Sequence, residues 1–274
     1  MQCGRFELNL ERPLVMGILN VTPDSFSDGA PLSLDQTLSR AERMIKEGAD
    51  LLDIGGESTR PGAEPVSPQE ELDRVLPVLY ALRDCGIPLS VDTCKPEVMS
   101  AALNAGADMI NDILALQAPG AIDAVAASRC GVCIMHMQGE PRTMQAAPQY
   151  DDVVKDVQAF LAQRVQALEA AGIASNRVVL DPGFGFGKTP GQNYTLLRHL
   201  DCLSVGHYPW LVGVSRKSMI GHVVGREPSA RLAGSLAAAL YGLEKGARIL
   251  RVHDVERTVD AVKVWQAIKD ESFV

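Results

Sequence analysis

The feature that most constrains the fold is a repeated alternation of short apolar runs with longer helical patterns. Eight apolar runs occur along the 274 residues, at 14–19, 50–54, 88–91, 107–110, 131–135, 177–180, 210–214 and 247–252. Helical patterns follow them at about 35–47, 68–84, 96–104, 119–128, 150–172, 192–201, 229–244 and 255–270. Because strands that alternate with helices form parallel βα units, the pattern predicts an α/β protein with a closed (β/α)8 TIM barrel.

The chain length agrees with this fold, since a barrel of this type takes about 250 residues. We therefore expect a single domain over residues 1–274, with a short N-terminal extension, residues 1–12, packed across the N-terminal face. The alternative is a doubly wound open sheet, which uses fewer strands and carries a glycine motif after the first one. The first strand leads instead into residues 20–24, NVTPD, so the barrel is favoured.

Charge and composition narrow the class of protein. The net charge of −8 argues against a nucleic-acid-binding surface. No apolar run is long enough to span a membrane, and the first residues lack a signal peptide's apolar segment, so a cytoplasmic location is expected. Cys130 and Cys133 have CxxC spacing, but they fall in or beside a predicted strand. We interpret them as core thiols and not as a redox or zinc site.

Polar residues end almost every predicted strand. TIM barrels place their catalytic groups where strands end and βα loops begin. The exits carry Asn20, Asp53, Asp92, Asn111, His136, Asp181, Ser215, Arg216, Lys217, Arg251 and His253. One such aspartate is often only a helix cap, but a converging cluster costs stability unless partners or a ligand satisfy it. The pattern therefore predicts one ligand site at this end of the barrel.

The chemistry of these residues suggests two subsites. The first set is rich in acceptors and has one cation: Asp92, Asn111, Asp181 and Lys217. It suits the N–H-rich edge of a planar ring such as an aminopyrimidinone. The second set has cations, an amide and a hydroxyl, which suit phosphate: Asn20, Thr59, Arg60, Arg251 and His253. Two long loops, 23–33 and 55–67, are typical of lids or binding loops.

Two long motifs resemble the signatures of a known family. GILNVTPDSFSDG at 17–29 and DIGGESTRPG at 53–62 closely resemble the first and second signatures of the dihydropteroate synthases. Shorter motifs continue the resemblance in order: SVDT at 90–93, IND at 110–112, MHM at 135–137, DPGFGFGK at 181–188, SRKS at 215–218 and RVHD at 251–254. The resemblance covers about residues 14–265.

The resemblance implies a transferase of folate biosynthesis. The family joins 4-aminobenzoate to a dihydropterin that arrives as its 6-hydroxymethyl diphosphate, and it releases pyrophosphate and 7,8-dihydropteroate. It uses Mg²⁺, is typically dimeric and is blocked by sulfonamides, which mimic 4-aminobenzoate. We therefore expect small-molecule substrates, a homodimer, and neither nucleic acid nor membrane as a partner.

The resemblance also implies roles for residues of this sequence. The pterin ring would be held by Asp92, Asn111, Asp181 and Lys217, between Ile113 and Met135. Arg251 would stack on the ring and reach the diphosphate, His253 would hold the diphosphate, and Asn20 would ligate Mg²⁺. The 4-aminobenzoate subsite would be framed by Phe26, Pro61, Phe186 and Ser218, and Thr59 and Arg60 would enter with the second loop. Ser218 opens a helix whose N-terminus suits the substrate carboxylate.

The mechanism expected from these roles is an SN1-like substitution at the pterin methylene carbon. Arg251, His253 and Mg²⁺ would neutralise the leaving diphosphate. Asp92, with Asp28 from the first loop, would stabilise positive charge that develops on the pterin. Lys217 completes the catalytic set.

Two rival functions use the same barrel. A methyltetrahydrofolate methyltransferase shares the acidic pterin residues, but should lack the lid motif at 22–27 and the diphosphate set. A catalytically silent pterin-binding paralogue should have lost a lid or phosphate residue. The lid motif and the diphosphate set are both present, which favours the synthase.

Overall fold

Eight parallel strands close into a barrel, as the alternation predicts. The computed structural model describes residues 1–22, 33–58, 62–140, 143–203 and 205–270. The chain begins with an antiparallel hairpin of β1 (Gln2–Cys3) and β2 (Phe6–Glu7). The barrel strands are β3 (Leu14–Asn20), β4 (Leu51–Gly55), β5 (Leu89–Asp92), β6 (Met109–Asp112), β7 (Gly131–Met135), β8 (Val178–Asp181), β9 (Trp210–Val212) and β10 (Ala247–Val252). Each strand pairs with the next and β10 closes against β3, which excludes the open sheet.

Helices follow the strands and surround the barrel. In the described residues they are α1 (Leu34–Lys46), α2 (Pro68–Leu82), α3 (Pro96–Asn104), α4 (Ala121–Ala126), α5 (Val153–Ala170), α6 (Pro190–Arg198), α7 (Ser218–Val224), α8 (Leu232–Glu244) and α9 (Val255–Lys269). Helix α7 begins at Ser218, as predicted, and makes the β9–β10 connection a two-helix one. No helix in these residues is long and apolar enough to cross a membrane.

Local sequence sets where helices begin. The hydroxyl of Ser33 accepts a hydrogen bond from the backbone N–H of Gln36, and the Gln36 side chain accepts one from the N–H of Ser33. Thr189 and Gln192 form the same reciprocal pair at the start of α6. Such capping boxes satisfy N–H groups that the first turn leaves without partners.

Strand alternation divides the apolar core in two. Side chains that face the barrel interior form a cluster of Leu14, Met16, Leu51, Met109, Cys133, Val179, Leu211 and Ile249, together with Cys3. The outward-facing residues pack under the helices in a larger cluster that includes Leu52, Ile54, Val91 and Val132. Cys130 and Cys133 are buried free thiols, in agreement with their interpretation as core residues.

The N-terminal extension closes one end of the barrel, as predicted. Cys3 is fully buried among the interior residues. Arg5 donates to both carboxylate oxygens of the buried Asp108, at 3.0 and 2.9 Å. Gly4 has a φ of +57°, and a Cβ there would lie 2.6 Å from the Asp108 Cα, so glycine is required for this approach. Among the described residues, the polar strand exits line a cavity at the C-terminal end of the barrel.

Candidate active site

A cavity of about 1000 Å³ opens at the C-terminal ends of the strands. Its lining contains seven of the predicted site residues: Asn20, Asp92, Phe186, Lys217, Ser218, Arg251 and His253. Four others are buried and are not part of this lining: Asn111, Ile113, Met135 and Asp181. Five predicted residues lie outside the described residues: Phe26, Asp28, Thr59, Arg60 and Pro61. The same holds for most of the first predicted lid loop and the centre of the second.

Arg251 spans the barrel interior from β10 to the acidic residues of β4 and β5. Its Nε donates to Asp53 Oδ2 at 2.6 Å, and its Nη2 donates to Asp92 Oδ2 at 2.7 Å. Asn111 Nδ2 also donates to Asp53 Oδ2, at 3.0 Å. The sequence-based division placed Arg251 in the outer phosphate set. In this structure its guanidinium lies in the inner set, because two buried carboxylates without a cation would be strongly destabilising.

Three buried oxygens in this part of the barrel have no hydrogen-bond partner among the described residues. They are Asp53 Oδ1, Ser90 Oγ and Asp92 Oδ1. Buried polar atoms are nearly always paired, so these oxygens are free to accept from a ligand. In the sequence, Asp53 stands out only as a strand exit and as the first residue of the second motif, and Ser90 is not singled out. The available signal was a polar residue at inward-facing positions of apolar strands, where Asp53 and Ser90 lie in register.

Burial and neighbouring charges raise the pKa values of both Asp92 and Arg251, with different consequences for their protonation. Burial raises the pKa of Asp92 to about 7, because it outweighs the nearby Arg251 guanidinium, and Asp53 adds to the rise. Burial alone would lower the pKa of Arg251, but Asp53 and Asp92 outweigh it and raise that pKa. Arg251 is therefore a permanent cation, whereas Asp92 can gain or lose a proton near neutral pH.

Lys217 and Phe186 form a second cluster on the opposite side of the cavity. The Lys217 ammonium donates to the carbonyl oxygen of Phe184 and lies 4.8 Å from the centroid of the Phe186 ring. Burial lowers the pKa of Lys217 to about 8, although Asp181 opposes this. Asp181 accepts from the Gly183 N–H at 2.7 Å, and burial raises its pKa against the effect of Lys217. Asp181 at the end of β8 and Lys217 in the β9–α7 turn, which the sequence places in one set, interact electrostatically, and Phe186 of the loop after β8 joins them.

The outer rim is built from the β9–α7 and β10–α9 turns. His253 Nδ1 lies 3.1 Å from Ser215 Oγ, which also accepts from the His253 backbone N–H. Burial, reinforced by Arg251 and Arg216, lowers the pKa of His253 to about 3. Its ring is therefore neutral at neutral pH and can donate a hydrogen bond but adds no charge. Arg216 pairs with Asp254 through two hydrogen bonds, which join the two turns.

An ion cluster anchors the second predicted lid loop. Lys95 Nζ lies 2.6 Å from Glu57 Oε2 and also contacts Glu71, which is fully buried. Glu57 in turn accepts from the Val66 N–H at 3.1 Å, so the cluster holds both arms of the loop. The cluster was not predictable from the sequence, because its three charged residues lie far apart in the chain. The partners of Lys95 are 38 and 24 residues away.

Comparison with known proteins agrees with this geometry. The family described as "Pterin binding enzyme" matches residues 16–253. A solved dihydropteroate synthase from Burkholderia cenocepacia, complexed with 7,8-dihydropteroate, is 58% identical, with a TM-score of 0.91 and coverage of 98% of this chain and 96% of that one. A Yersinia pestis dihydropteroate synthase in a sulfonamide drug complex is 52% identical, with a TM-score of 0.94 and 98% coverage of both chains. A Xanthomonas albilineans dihydropteroate synthase with 4-aminobenzoic acid is 55% identical, with a TM-score of 0.90 and coverage of 96% and 95%.

The barrel and its acidic, cation-ringed mouth place the chain in the class of pterin-binding TIM-barrel enzymes. Within that class, the chain belongs to the dihydropteroate synthase family, whose members are transferases. The family resemblance seen in the sequence motifs is thereby confirmed.

Proposed function

We propose that this protein condenses 4-aminobenzoate with 6-hydroxymethyl-7,8-dihydropterin diphosphate, giving 7,8-dihydropteroate and pyrophosphate. The observation that carries the proposal is the layout of charge at the barrel mouth. Carboxylate oxygens of Asp53 and Asp92 that have no partner among the described residues lie deep in the barrel, and Lys217, Arg251 and His253 line the cavity at its mouth. A ring rich in N–H donors fits the carboxylates, and an anionic arm fits the two cations and the neutral His253 ring.

In the proposed complex, the pterin ring replaces the Arg251 guanidinium as the partner of the buried carboxylates. The Arg251 guanidinium binds Asp53 and Asp92 in the ligand-free protein. The amino-pyrimidinone edge of a pterin offers a similar planar array of N–H donors to the same carboxylates. When the ring enters, Arg251 leaves this layer and pairs with the diphosphate, while its aliphatic stem covers the ring. Asn111, Asp181 and Lys217 complete the ring contacts, and Ile113 and Met135 supply the apolar walls.

The diphosphate end is proposed to carry Mg²⁺. Asn20 ends β3 and turns an amide group toward the cavity. The described residues contain no cluster of three or more His, Cys, Asp or Glu side chains that could hold a metal on their own. This fits Mg²⁺, which is commonly held by one or two protein oxygens together with substrate phosphates and water. Asn20 would hold the ion with the diphosphate oxygens, and the bound ion would neutralise charge on the leaving group.

The second substrate is proposed to bind between Phe186 and the start of α7. Ser218 is exposed at the first turn of that helix and lines the cavity with Phe186. Phe186 gives an apolar face for the benzene ring, and the backbone N–H groups that begin α7 face the carboxylate. Thr59, Arg60, Pro61 and Phe26 are proposed to close this subsite from the two loops. The same subsite would accept sulfonamides.

The proposed reaction breaks the bond between the pterin methylene carbon and the diphosphate oxygen. Positive charge spreads into the pterin ring and is stabilised by Asp92 and, from the first loop, Asp28. The amine nitrogen of 4-aminobenzoate then forms the new C–N bond, and its proton passes to solvent or to pyrophosphate. Arg251, and a hydrogen bond from the neutral His253, stabilise the departing diphosphate. No general base is needed, since the aniline nitrogen attacks a strong electrophile and loses its proton only after the C–N bond has formed.

A pyrophosphate-release assay tests the proposal. With both substrates and Mg²⁺, the protein should form dihydropteroate and pyrophosphate in equal amounts. Binding of the pterin diphosphate by folded protein without turnover would favour the silent paralogue and contradict the proposal. Methyl transfer from methyltetrahydrofolate would instead favour the methyltransferase.

The timing of bond cleavage is tested by leaving out 4-aminobenzoate. An SN1-like reaction predicts slow pyrophosphate release from the pterin substrate alone. A direct displacement predicts none, because the diphosphate cannot leave before the amine attacks.

We further propose that the active form is a cytoplasmic homodimer. Two apolar side chains one helical turn apart on α9 are strongly exposed: Val264 by 62% and Ile268 by 77%. A second copy of the chain would cover such a surface. Sedimentation velocity should give twice the monomer mass, and a Val264→Glu variant should shift toward the monomer.

A further inference from the structure

Lys188 is a nearly fully buried cation that the proposed reaction does not use. Only 2% of it is exposed, although lysine is rarely buried. Its Nζ contacts the carbonyl oxygens of Gly183, Phe186 and His136 at 2.8, 3.1 and 3.3 Å, and His136 Nδ1 at 2.9 Å. Burial lowers the pKa of Lys188 to about 7, so keeping a proton on this group costs free energy. Because burying this ammonium costs free energy, its four polar contacts indicate that it has a specific structural or functional role.

The acceptor on His136 is suited to this contact. Burial, with a smaller effect of Lys188, lowers the pKa of His136 to about 3, so the ring is neutral. A neutral ring with its proton on Nε2 accepts from Lys188 through Nδ1. The ammonium thereby joins the exit of β7 to the loop after β8.

The loop from 182 to 188 is folded around this ammonium. Gly183, Gly185 and Gly187 have φ values of +72°, +79° and +61°, which let the chain reverse direction at alternate residues. The Lys188 ammonium donates hydrogen bonds to the carbonyl oxygens of Gly183 and Phe186. The carbonyl oxygen of Phe184, which lies between these two residues, accepts a hydrogen bond from Lys217. Lys188 therefore holds the backbone on both sides of Phe184, and Asn193 accepts from the Gly185 N–H between these two points.

We infer that Lys188 is a positioning residue: by binding the Gly183 and Phe186 carbonyls, it sets the Phe184 carbonyl and the Phe186 ring that together hold Lys217. It touches neither substrate and acts through these two groups. Because Lys217 and Phe186 belong to the proposed pterin and 4-aminobenzoate subsites, this inference rests on the proposed function.

Loss of the ammonium should therefore change substrate binding and not only stability. In Lys188→Met the apolar stem remains, but the carbonyls of Gly183 and Phe186 lose their donor. The loop relaxes, and the Phe186 ring and the Lys217 ammonium shift. Misplacement of a binding group by about 1 Å can reduce activity by about 100-fold. We expect the KM for 4-aminobenzoate to rise about 10-fold or more, within that range.

Arg177→Met is the matched control. Arg177 precedes β8 as Lys188 follows it, is also a buried cation, and donates to the carbonyls of Cys130 and Val125, both at 2.8 Å. It lies at the N-terminal end of the strand, away from the cavity. Arg177→Met should lower the thermal midpoint but leave both KM values and the kcat of the folded enzyme unchanged. If Lys188→Met behaves in the same way, its role is structural and the inference is wrong.

A pair of His136 variants keeps the test open if Lys188→Met does not fold. His136→Phe keeps a ring against Phe160 but removes the acceptor for Lys188. His136→Asn restores an acceptor near the position of Nδ1. The inference predicts a raised KM for 4-aminobenzoate in His136→Phe and a value near that of the wild type in His136→Asn. Equal KM values in the two variants would overturn it.

The same measurements separate the two levels of proposal. Wild-type protein without pyrophosphate release would contradict the proposed function. An active wild type with unaltered KM values in Lys188→Met and His136→Phe would contradict only the role of Lys188.

Discussion

At the scale of the residue, Arg251 is the side chain that most clearly links stability to the proposed chemistry. In the ligand-free protein it compensates two buried carboxylates, Asp53 and Asp92, through a hydrogen bond to each. Such a triad is costly to bury, and removing one partner from a buried pair typically costs 3–5 kcal/mol. The free carboxylate oxygens nevertheless remain unpaired within the described residues. A ligand that supplies N–H donors can therefore replace Arg251 without leaving the acidic residues unsatisfied.

The first prediction concerns Asp92→Asn. The amide cannot carry the negative charge that binds the pterin edge, and it turns a donor toward Arg251. A hydrogen bond to a charged group contributes about 1.5–3 kcal/mol, so we expect kcat/KM for the pterin substrate to fall by about 10- to 100-fold. Steady-state kinetics of pyrophosphate release checks this.

Asp112→Asn is the matched control for that variant. Asp112 is a buried carboxylate in the same layer of strand ends, but it accepts from the N–H groups of Leu114 and Leu116, both at 2.7 Å. We expect a lower thermal midpoint and unchanged kinetics. Unchanged activity in Asp92→Asn would show that this residue does not hold the pterin.

The second prediction concerns pH and Lys217. Burial lowers the pKa of Lys217 to about 8, so its ammonium is charged below pH 8 and loses its proton as the pH rises through that value. If the charged form binds substrate, kcat/KM should fall by about tenfold per pH unit above pH 8. A pH profile of kcat/KM measures this limb directly.

Lys217→Arg separates this group from others that titrate in the range. Its guanidinium stays protonated, so the alkaline limb should disappear although the overall activity is lower. A limb that persists unchanged in Lys217→Arg would assign the titration to another residue.

At the scale of the element, the strands were predictable and the loop contacts were not. Short apolar runs and their polar exits are local properties, so the sequence indicates β5 and Asp92 without knowledge of the rest of the chain. The contact of Lys188 with His136 joins residues that are 52 positions apart in the chain, and the local sequence around either residue does not predict it. The contacts of Arg251 with Asp53 and Asp92 were not predictable for the same reason, since these partners lie 198 and 159 residues away in the chain. Residue type indicates which chemistry to expect at a strand end, whereas tertiary packing determines which side chains contact one another.

The third prediction concerns the glycines of the loop after β8. A Cβ at Gly183 would lie 1.8 Å from the carbonyl oxygen of His136, in addition to the strain of its φ of +72°. Gly183→Ala should therefore fail to fold or unfold at least about 10 °C lower, because a ΔΔG of 1 kcal/mol shifts the midpoint of a chain this size by about 2–4 °C. Thermal unfolding followed by circular dichroism measures the change.

Gly86→Ala is its control. Gly86 also has a positive φ, +88°, but a Cβ there meets nothing within 4 Å. The left-handed conformation alone costs about 1–2 kcal/mol, so only a fall of a few degrees is expected. Similar losses in the two variants would mean that the close approach to His136 is not what requires glycine.

At the scale of the whole molecule, stability and activity lie at opposite ends of the barrel. The hairpin and Arg5 close the N-terminal end, whereas the cavity opens at the C-terminal end. This is the usual division in TIM barrels, in which loops at one face carry function and the other face supports the fold.

The fourth prediction tests this division with Arg5→Ala. Arg5 pairs with Asp108, which is almost fully buried, and also donates to the carbonyls of Arg83 and Gly106. Its loss should reduce the free energy of unfolding by about 1–3 kcal/mol and leave kcat/KM unchanged. Arg12→Ala removes a more exposed pair with Asp50, which should contribute at most about 1 kcal/mol. Reduced kcat/KM in fully folded Arg5→Ala would show that the two ends are coupled.

The central claim is that the acidic layer binds the pterin ring in place of Arg251. A crystal structure with the pterin diphosphate bound tests it most directly. The account predicts that the ring edge lies against Asp53 and Asp92, with Asp181 completing the ring contacts, and that the Arg251 guanidinium has moved to the diphosphate. A ring bound elsewhere, with Arg251 still hydrogen-bonded to Asp53 and Asp92, would contradict it.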